Sequence, residues 1–138
     1  MLRFMLDTNI CIRVLRDRPP SARPRFNAES DGLCISTVTL GELLHGAAKS
    51  AQPAEKRREV DRLTSRLAVL PFDEDAAAHF GDIRADLERR GMVIGPYDLM
   101  IAGHARSRGL IVVTGNLGEF NRVDGLRCED WLAEASPN

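Results

Sequence analysis

The chain of 138 residues has few aromatic side chains: five phenylalanines, one tyrosine and one tryptophan. A globular core needs several of these rings, so a nucleic-acid surface built on base stacking is not expected. Long apolar runs are also missing, and the aliphatic run at residues 110–113 is far shorter than the roughly 20 residues of a membrane-spanning helix. Asp7 interrupts the first apolar residues before a signal peptide could form. These absences favour a cytoplasmic protein.

Cysteine pairs are absent too. The three cysteines, Cys11, Cys34 and Cys128, are widely spaced and form no Cys-x-x-Cys motif. This spacing argues against a structural zinc site or a redox couple. Each cysteine lies in an apolar stretch, so we expect three buried free thiols.

Several familiar catalytic motifs are missing as well. The sequence has no His-Glu-x-x-His zinc motif, no Walker A loop, no Gly-x-Gly-x-x-Gly fingerprint and no nucleophile elbow. A Glu-x-x-His spacing occurs once, at Glu42 and His45, whereas a di-iron bundle needs it twice. We therefore expect His45 to lie on a helix surface or to support a site formed by other residues.

The positive charge is carried almost entirely by arginine, which accounts for 17 of the 19 basic residues. Basic residues exceed acidic ones up to residue 70, and the balance reverses beyond it. Two basic groups, at residues 13–25 and 56–66, are the available surfaces for a nucleic-acid backbone, because arginine contacts phosphate in a bidentate manner. Either group could equally be a solvated face.

Short apolar strands alternate with amphipathic helices along the whole chain. This pattern predicts a doubly wound α/β domain, with a short parallel sheet of four to five strands and helices on both faces. The length fits one domain, which we place at residues 1–133, followed by a C-terminal tail at 134–138. The predicted strands lie at residues 2–6, 33–35, 68–70 and 110–113, with a weak fifth at 126–128.

Polar residues cluster where this topology places the carboxyl ends of the strands, the edge at which open parallel sheets bind ligands. Some of these residues have a purely structural alternative, since Asp7 and Asp98 could each simply favour a helix N-terminus. Glu42 is harder to explain in that way, because it lies beside the apolar stripe of its helix. The candidates are Asp7, Glu42, Asp98, Thr114, Asn116 and Glu119.

Several carboxylates converging at one point would repel one another unless a cation joins them. A cluster of oxygen ligands with little imidazole or thiolate suits Mg²⁺ or Mn²⁺. Such ions polarise phosphoryl oxygens and activate water. The pattern therefore predicts a metal-dependent phosphodiesterase.

Four segments together resemble the PIN-domain ribonucleases, and more closely the VapC toxins of VapBC toxin–antitoxin pairs. Residues 6–9 are Leu-Asp-Thr-Asn, and residues 36–43 are Ser-Thr-Val-Thr-Leu-Gly-Glu-Leu. Residues 95–102 are Gly-Pro-Tyr-Asp-Leu-Met-Ile-Ala, and residues 113–120 are Val-Thr-Gly-Asn-Leu-Gly-Glu-Phe. Each segment alone is a weak signal, but four in this order and spacing are highly specific, and the resemblance runs from the start to about residue 131.

The resemblance implies a PIN-like domain that cuts RNA with Mg²⁺, for which Mn²⁺ may substitute. Asp7, Glu42 and Asp98 match the family's acidic, metal-binding triad, and Thr114 matches its hydroxyl. The family pattern often has an aspartate at the position of Asn116, so either this amide or Glu119 completes the site. The resemblance also implies a homodimer in a bacterial cytoplasm, a VapB-type antitoxin that occludes the site, and structured RNA, tRNA among them, as substrate.

Two other functions stay open at this point. The chain could be a non-enzymatic module that binds nucleic acid or a protein partner, with capping acids that imitate a site. It could also be a metal-dependent DNA or flap nuclease, since related folds use the same ions.

Overall fold

Strands alternate with helices along the computed structural model, which describes residues 1–16 and 22–132. The expected tail at 134–138 and the part of the first arginine group at 17–21 lie outside the described residues. The strands are β1 (Phe4–Leu6), β2 (Leu33–Ser36), β3 (Ala68–Leu70), β4 (Ile111–Val113) and β5 (Cys128–Glu129). The helices are α1 (Thr8–Arg16), α2 (Ala22–Ala28), α3 (Thr37–Ala48), α4 (Pro53–Thr64), α5 (Glu74–Arg89), α6 (Pro96–Ser107) and α7 (Leu117–Phe120), with a 3₁₀ turn at Ser30–Gly32.

All five strands are parallel and form one sheet in the order β3-β2-β1-β4-β5. The chain therefore winds one way from β1 to β3 and the other way from β4 to β5, which confirms the doubly wound prediction. The reversal falls between β1 and β4, where Leu6 is paired with Val113. In such sheets the crevice beyond this switch point is where ligands bind.

The side chains of the central strand alternate between two hydrophobic cores, one on each face of the sheet. Phe4 and Leu6 point into the core that contains Trp131, whose ring lies 5.2 Å from that of Phe4 between centroids. Met5 points into the opposite core, which contains Phe120. This period of two explains why a three-residue apolar strand can be buried on both faces.

Two helices begin at the capping residues that their sequences contain. The side chain of Ser36, the last residue of β2, accepts a hydrogen bond from the N–H of Val38 at the start of α3. The carboxylate of Asp73 accepts one from the N–H of Ala76 in α5 at 3.0 Å. These bonds satisfy donors that the first turn of a helix leaves free.

Helix α6 packs very closely against α5 at Gly103. A Cβ atom on Gly103 would lie 2.7 Å from the backbone nitrogen of Phe80, closer than real side chains approach. Because backbone rather than a flexible side chain stands there, nothing larger than glycine fits without moving a helix. The contact therefore fixes the position of α6.

The strand and thiol predictions need two corrections. The fifth strand begins at Cys128 rather than at residue 126. Cys11 and Cys34 are buried as predicted, but Cys128 is partly exposed because β5 is an edge strand with one strand neighbour. Over the described ranges 1–16 and 22–132, none of the helices combines the length and the apolar content needed to cross a membrane.

Candidate active site

Asp7 lies at the carboxyl end of the central strand and is almost fully buried, with 3% of its surface exposed. One carboxylate oxygen, Oδ1, accepts a hydrogen bond from the N–H of Ile10 at 2.9 Å. The other, Oδ2, accepts one from the hydroxyl of Thr114 at 2.6 Å. Asp7 is therefore both the helix cap of the structural alternative and a member of the cluster at the strand ends.

Burial is the main cause that raises the pKa of Asp7 above its usual value. The hydrogen bonds from Thr114 and Ile10 act in the opposite direction, since they favour the charged form. The negative charges of Glu42 and Asp130 add to the upward shift. A buried carboxylate held this firmly has a fixed position at the sheet edge.

Glu42 projects from α3 toward the start of α1, where the hydroxyl of Thr8 donates a hydrogen bond to its Oε1. The same hydroxyl lies 3.4 Å from that of Thr39, a fully buried residue one turn before Glu42. The expectation that Glu42 does not lie on a solvated face is correct. Thr8 and Thr39 were not predicted to hold it. Thr8 directly follows Asp7 and Thr39 lies three residues before Glu42, and both positions were available signals.

Asp98 and Glu119 meet across the cleft from α6 and α7. A hydrogen bond between their side chains accompanies a pKa of Asp98 raised to about 7. Loss of hydration is the largest cause, followed by that hydrogen bond and by the negative charges of Asp7, Glu119 and Glu42. Asp98 therefore interacts electrostatically with all three other acids, which places the four in one cleft.

Thr114 and Asn116 lie on the loop that leaves β4, beside Asp7. The buried hydroxyl of Thr114 accepts a hydrogen bond from the N–H of Asn116 at 2.9 Å while it donates to Asp7. The side chain of Asn116 is exposed, whereas Glu119 is half-buried against Asp98. Of the two candidates for the fourth position, Glu119 is the one that contacts another acid.

The donor chemistry of the cleft fits a divalent cation. In the described part of the chain, none of Asp7, Glu42, Asp98 and Glu119 forms an ion pair with a lysine or arginine. No lysine or arginine of these described ranges therefore pairs with their charges. Within residues 1–16 and 22–132, no three acidic, histidine or cysteine side chains are close enough to form a preassembled metal-binding group. The oxygen-rich cleft suits Mg²⁺ or Mn²⁺ in ligand type, and ligands would have to converge on the ion.

Of the three histidines, His45 lies one turn after Glu42 on α3 and lines a groove together with it. His45 is exposed on α3, which matches the expectation of a surface position. His79 accepts a hydrogen bond from Arg106 on the neighbouring helix. His104 is completely buried against the ring of Phe72, with no hydrogen-bond partner for either ring nitrogen. In the described ranges, none of the three forms a hydrogen bond with Asp7, Glu42, Asp98 or Glu119.

Comparison with known proteins agrees with this geometry. Residues 4–126 match the PIN domain family. The tRNA(fMet)-specific endonuclease VapC of Shigella flexneri is 56% identical over 95% of this chain and 99% of its own length. Ribonuclease VapC2 of Haemophilus influenzae strain Rd is 46% identical over 96% of this chain and its full length.

A solved structure gives the same result for the fold. The chain superposes on one chain of the crystal structure of DNA-bound VapBC from Salmonella typhimurium with a TM-score of 0.91 and 54% identity. The match covers 95% of this chain and 99% of that one. Similarity of this extent includes the sheet and the helices that carry the acids.

Proposed function

The chain belongs to the PIN-domain family, in its VapC group of ribonuclease toxins, and from that premise we propose that its acidic cleft hydrolyses a phosphodiester bond of tRNA. The observation that carries the proposal is Asp98. Burial and the hydrogen bond with Glu119 raise its pKa to about 7, and the charges of Asp7, Glu119 and Glu42 add to the shift, a grouping of acids that a structural role would not require. Perturbed pKa values of this kind cluster at catalytic sites.

Members of this family generally depend on divalent metal ions. We assign the role to Mg²⁺, with Mn²⁺ as a substitute, and the ligands to Asp7, Glu42 and Asp98. When bound, such an ion polarises a phosphoryl oxygen and lowers the pKa of a coordinated water. The all-oxygen ligand set supports this assignment over zinc, which favours imidazole and thiolate.

The chain's own residues orient the carboxylates. Thr114 donates to one oxygen of Asp7, while the N–H of Ile10 holds the other. Thr8 fixes Glu42 by donating to its Oε1. Asp98, whose pKa is raised to about 7 in the absence of a metal ion, has Glu119 as its hydrogen-bond partner. This hydrogen bond favours Glu119 over Asn116 as the residue that completes the site.

The proposed substrate is tRNA(fMet), the RNA in the name of the relative from Shigella flexneri. Only seven aromatic residues are available, so recognition would depend on backbone charge and on RNA shape rather than on base stacking.

The test is incubation with labelled tRNA(fMet), an unrelated tRNA or a DNA duplex, with Mg²⁺, Mn²⁺ or EDTA. Cleavage of tRNA(fMet) alone and only with metal supports the proposal. Binding without cleavage would indicate a non-enzymatic module, and cleavage of DNA a different nuclease.

The ends of the cleaved RNA are expected to be 5′-phosphate and 3′-hydroxyl. Attack by the ribose 2′-hydroxyl is commonly assisted by paired acid–base groups such as histidines, and the groove of Glu42 is lined by one histidine, His45, rather than by a pair. Attack by water instead expels the 3′ oxygen and leaves the phosphate on the downstream fragment. Ligation assays and mass spectrometry of the fragments measure the ends. Detection of 2′,3′-cyclic phosphate would contradict a hydrolytic mechanism.

A cytoplasmic nuclease of this kind needs an inhibitor, and we assign that role to a VapB-type antitoxin, as in the VapBC complex of Salmonella typhimurium. A groove of about 850 Å³ between α1, α3 and α4 includes Glu42 and offers apolar walls to such a partner. A basic residue of the antitoxin could then neutralise the acids in place of a metal ion. The toxin itself is proposed to be a homodimer.

Expression of this chain alone is expected to stop bacterial growth, and co-expression of its antitoxin to restore it. The physical reason is that loss of initiator tRNA blocks translation, whereas an occluded cleft cannot bind RNA. Colony counts after induction measure the effect. An Asp98→Asn variant that remained as toxic as the parent would show that toxicity does not come from the cleft.

A further inference from the structure

A second cavity, of about 880 Å³, opens beside the acidic cleft on the outer face of α1. Asn9, Arg13 and Arg16 recur at helical spacing, so they lie on one face of the helix and line one wall. The opposite wall is the loop of Gly115 and Asn116 that leaves β4. The cavity thus brings two guanidinium groups and two amide side chains to one place.

The two arginines are among those that have no anionic partner in the part of the chain that the structure describes. Over residues 1–16 and 22–132, neither Arg13 nor Arg16 forms an ion pair or a side-chain hydrogen bond. Some arginines elsewhere are engaged, as Arg57 is with Asp61 and Arg90 is with Asp86. Both unpaired side chains are exposed and free to bind a ligand.

Hydrogen bonds connect residues that line this cavity to Asp7 in the acidic cleft. The N–H of Asn116 donates to Thr114, which donates to Asp7, and the N–H of Ile10 donates to Asp7 from the other side. At 1.5 Å per residue, Arg13 and Arg16 lie roughly 9 and 14 Å beyond Asp7 along the helix. A strand whose phosphate reaches Asp7 can therefore place a neighbouring phosphate against α1.

We propose that Arg13 and Arg16, together with the amides of Asn9 and Asn116, bind the RNA backbone next to the phosphate that is cut. This inference rests on the proposed nuclease function and adds the residues that position its substrate. A cleft of four carboxylates repels a polyanion, so RNA needs an adjacent cationic surface to approach it. The planar guanidinium suits a phosphate because it donates two parallel hydrogen bonds.

The test is tRNA(fMet) binding and cleavage by Arg13→Gln, Arg16→Gln and the double variant. The double variant is expected to bind tRNA about tenfold more weakly in EDTA, and to raise KM far more than it lowers kcat. The slope of log affinity against log salt should become shallower by about 0.7 for every phosphate that the variant no longer binds. Arg13→Lys should restore the salt slope while it recovers only part of the affinity, since the charge remains but the bidentate geometry does not.

Arg127→Gln is the matched control, because it removes the same charge from an exposed residue just before β5, at the amino ends of the strands and away from the cleft. It should leave binding, KM and the salt slope at parental values.

The structural alternative is that the arginines only complement the C-terminal dipole of α1. In that case the double variant would melt lower yet bind and cleave tRNA like the parent, which would overturn the inference. An effect equal to that of Arg127→Gln, or loss of a protein partner with unchanged RNA binding, would overturn it too. A parent that cleaves no RNA would instead overturn the proposed function.

Discussion

Asp98→Asn is expected to lower the rate of tRNA(fMet) cleavage at least about 10²-fold, and Asp7→Asn and Glu42→Gln are expected to do the same. Losses of this size are usual when a group that acts electrostatically in the transition state is removed. Each change removes one negative charge from the site. Asn and Gln keep the shape of the side chain, so the effect reports charge rather than packing. Single-turnover cleavage at saturating Mg²⁺ is the measurement.

Asp82→Asn is a suitable control, since Asp82 is an exposed acid on α5, outside the cleft. It should cleave at the parental rate. Glu119→Gln and Asn116→Ala then decide the fourth position: a severe loss only in Glu119→Gln assigns it to the acid that contacts Asp98. An Asp7→Asn enzyme with full metal-dependent activity would show that this cleft is not the active site.

In EDTA near pH 8, Asp98→Asn is expected to melt above the parent. The pKa of Asp98 is about 7 in the folded protein, against about 4 in an unfolded chain. The folded state therefore binds more protons than the unfolded state between these values, and its stability falls as pH rises from about 4 to 7. Above about pH 7 this loss of stability is complete in the parent protein. The Asp98→Asn variant does not have it, because asparagine is uncharged. Added Mn²⁺ should stabilise the parent by about 2.7 kcal/mol at one hundred times its Kd, or roughly 10 °C, and the variant by less.

Thermal melts from pH 4 to 8 with EDTA or Mn²⁺ measure these differences. Burial lowers the pKa of His104, so this residue destabilises the fold on the acid side, below about 6.5. Parent and variant both contain His104, so the difference between their melting temperatures isolates Asp98. If Asp98 only favoured the N-terminus of α6, the variant would be less stable than the parent by about 0.3–1 kcal/mol and would melt at a lower temperature. Mn²⁺ would then change the melting temperature of neither protein.

Sequence patterns were sufficient for the sheet and for three of the acids. Asp7 directly follows an apolar strand, and Asp98 lies in a first helical turn after a Gly-Pro pair, so chain-local signals placed both. Glu42 is indicated by its position, because a charge beside an apolar stripe is unusual. These signals come from burial and capping, which act over a few residues and leave a local trace.

Other features depend on contacts between distant parts of the chain. Helix α7 has only four residues, too few to show a helical period. The pairing of Glu119 with Asp98 joins two helices separated by β4, and neither sequence segment indicates it. The bounds of β5 are set by hydrogen bonds with the chain at β4, such as that from the N–H of Thr114 to the carbonyl of Glu129, rather than by an apolar pattern of its own.

The close packing of α6 on α5 also bears on how such a chain can lose its toxicity. Cells that survive its expression are expected to carry damaged copies of the gene, and damage need not reach the acids. A methyl group at Gly103 would meet the backbone of Phe80 at 2.7 Å, so α6 would have to move and take Asp98 with it. A single added carbon at Gly103, more than a helical turn from Asp98, would therefore displace an acid that it does not contact. The harmless alleles open to this gene therefore include changes at a buried glycine that has no part in binding RNA.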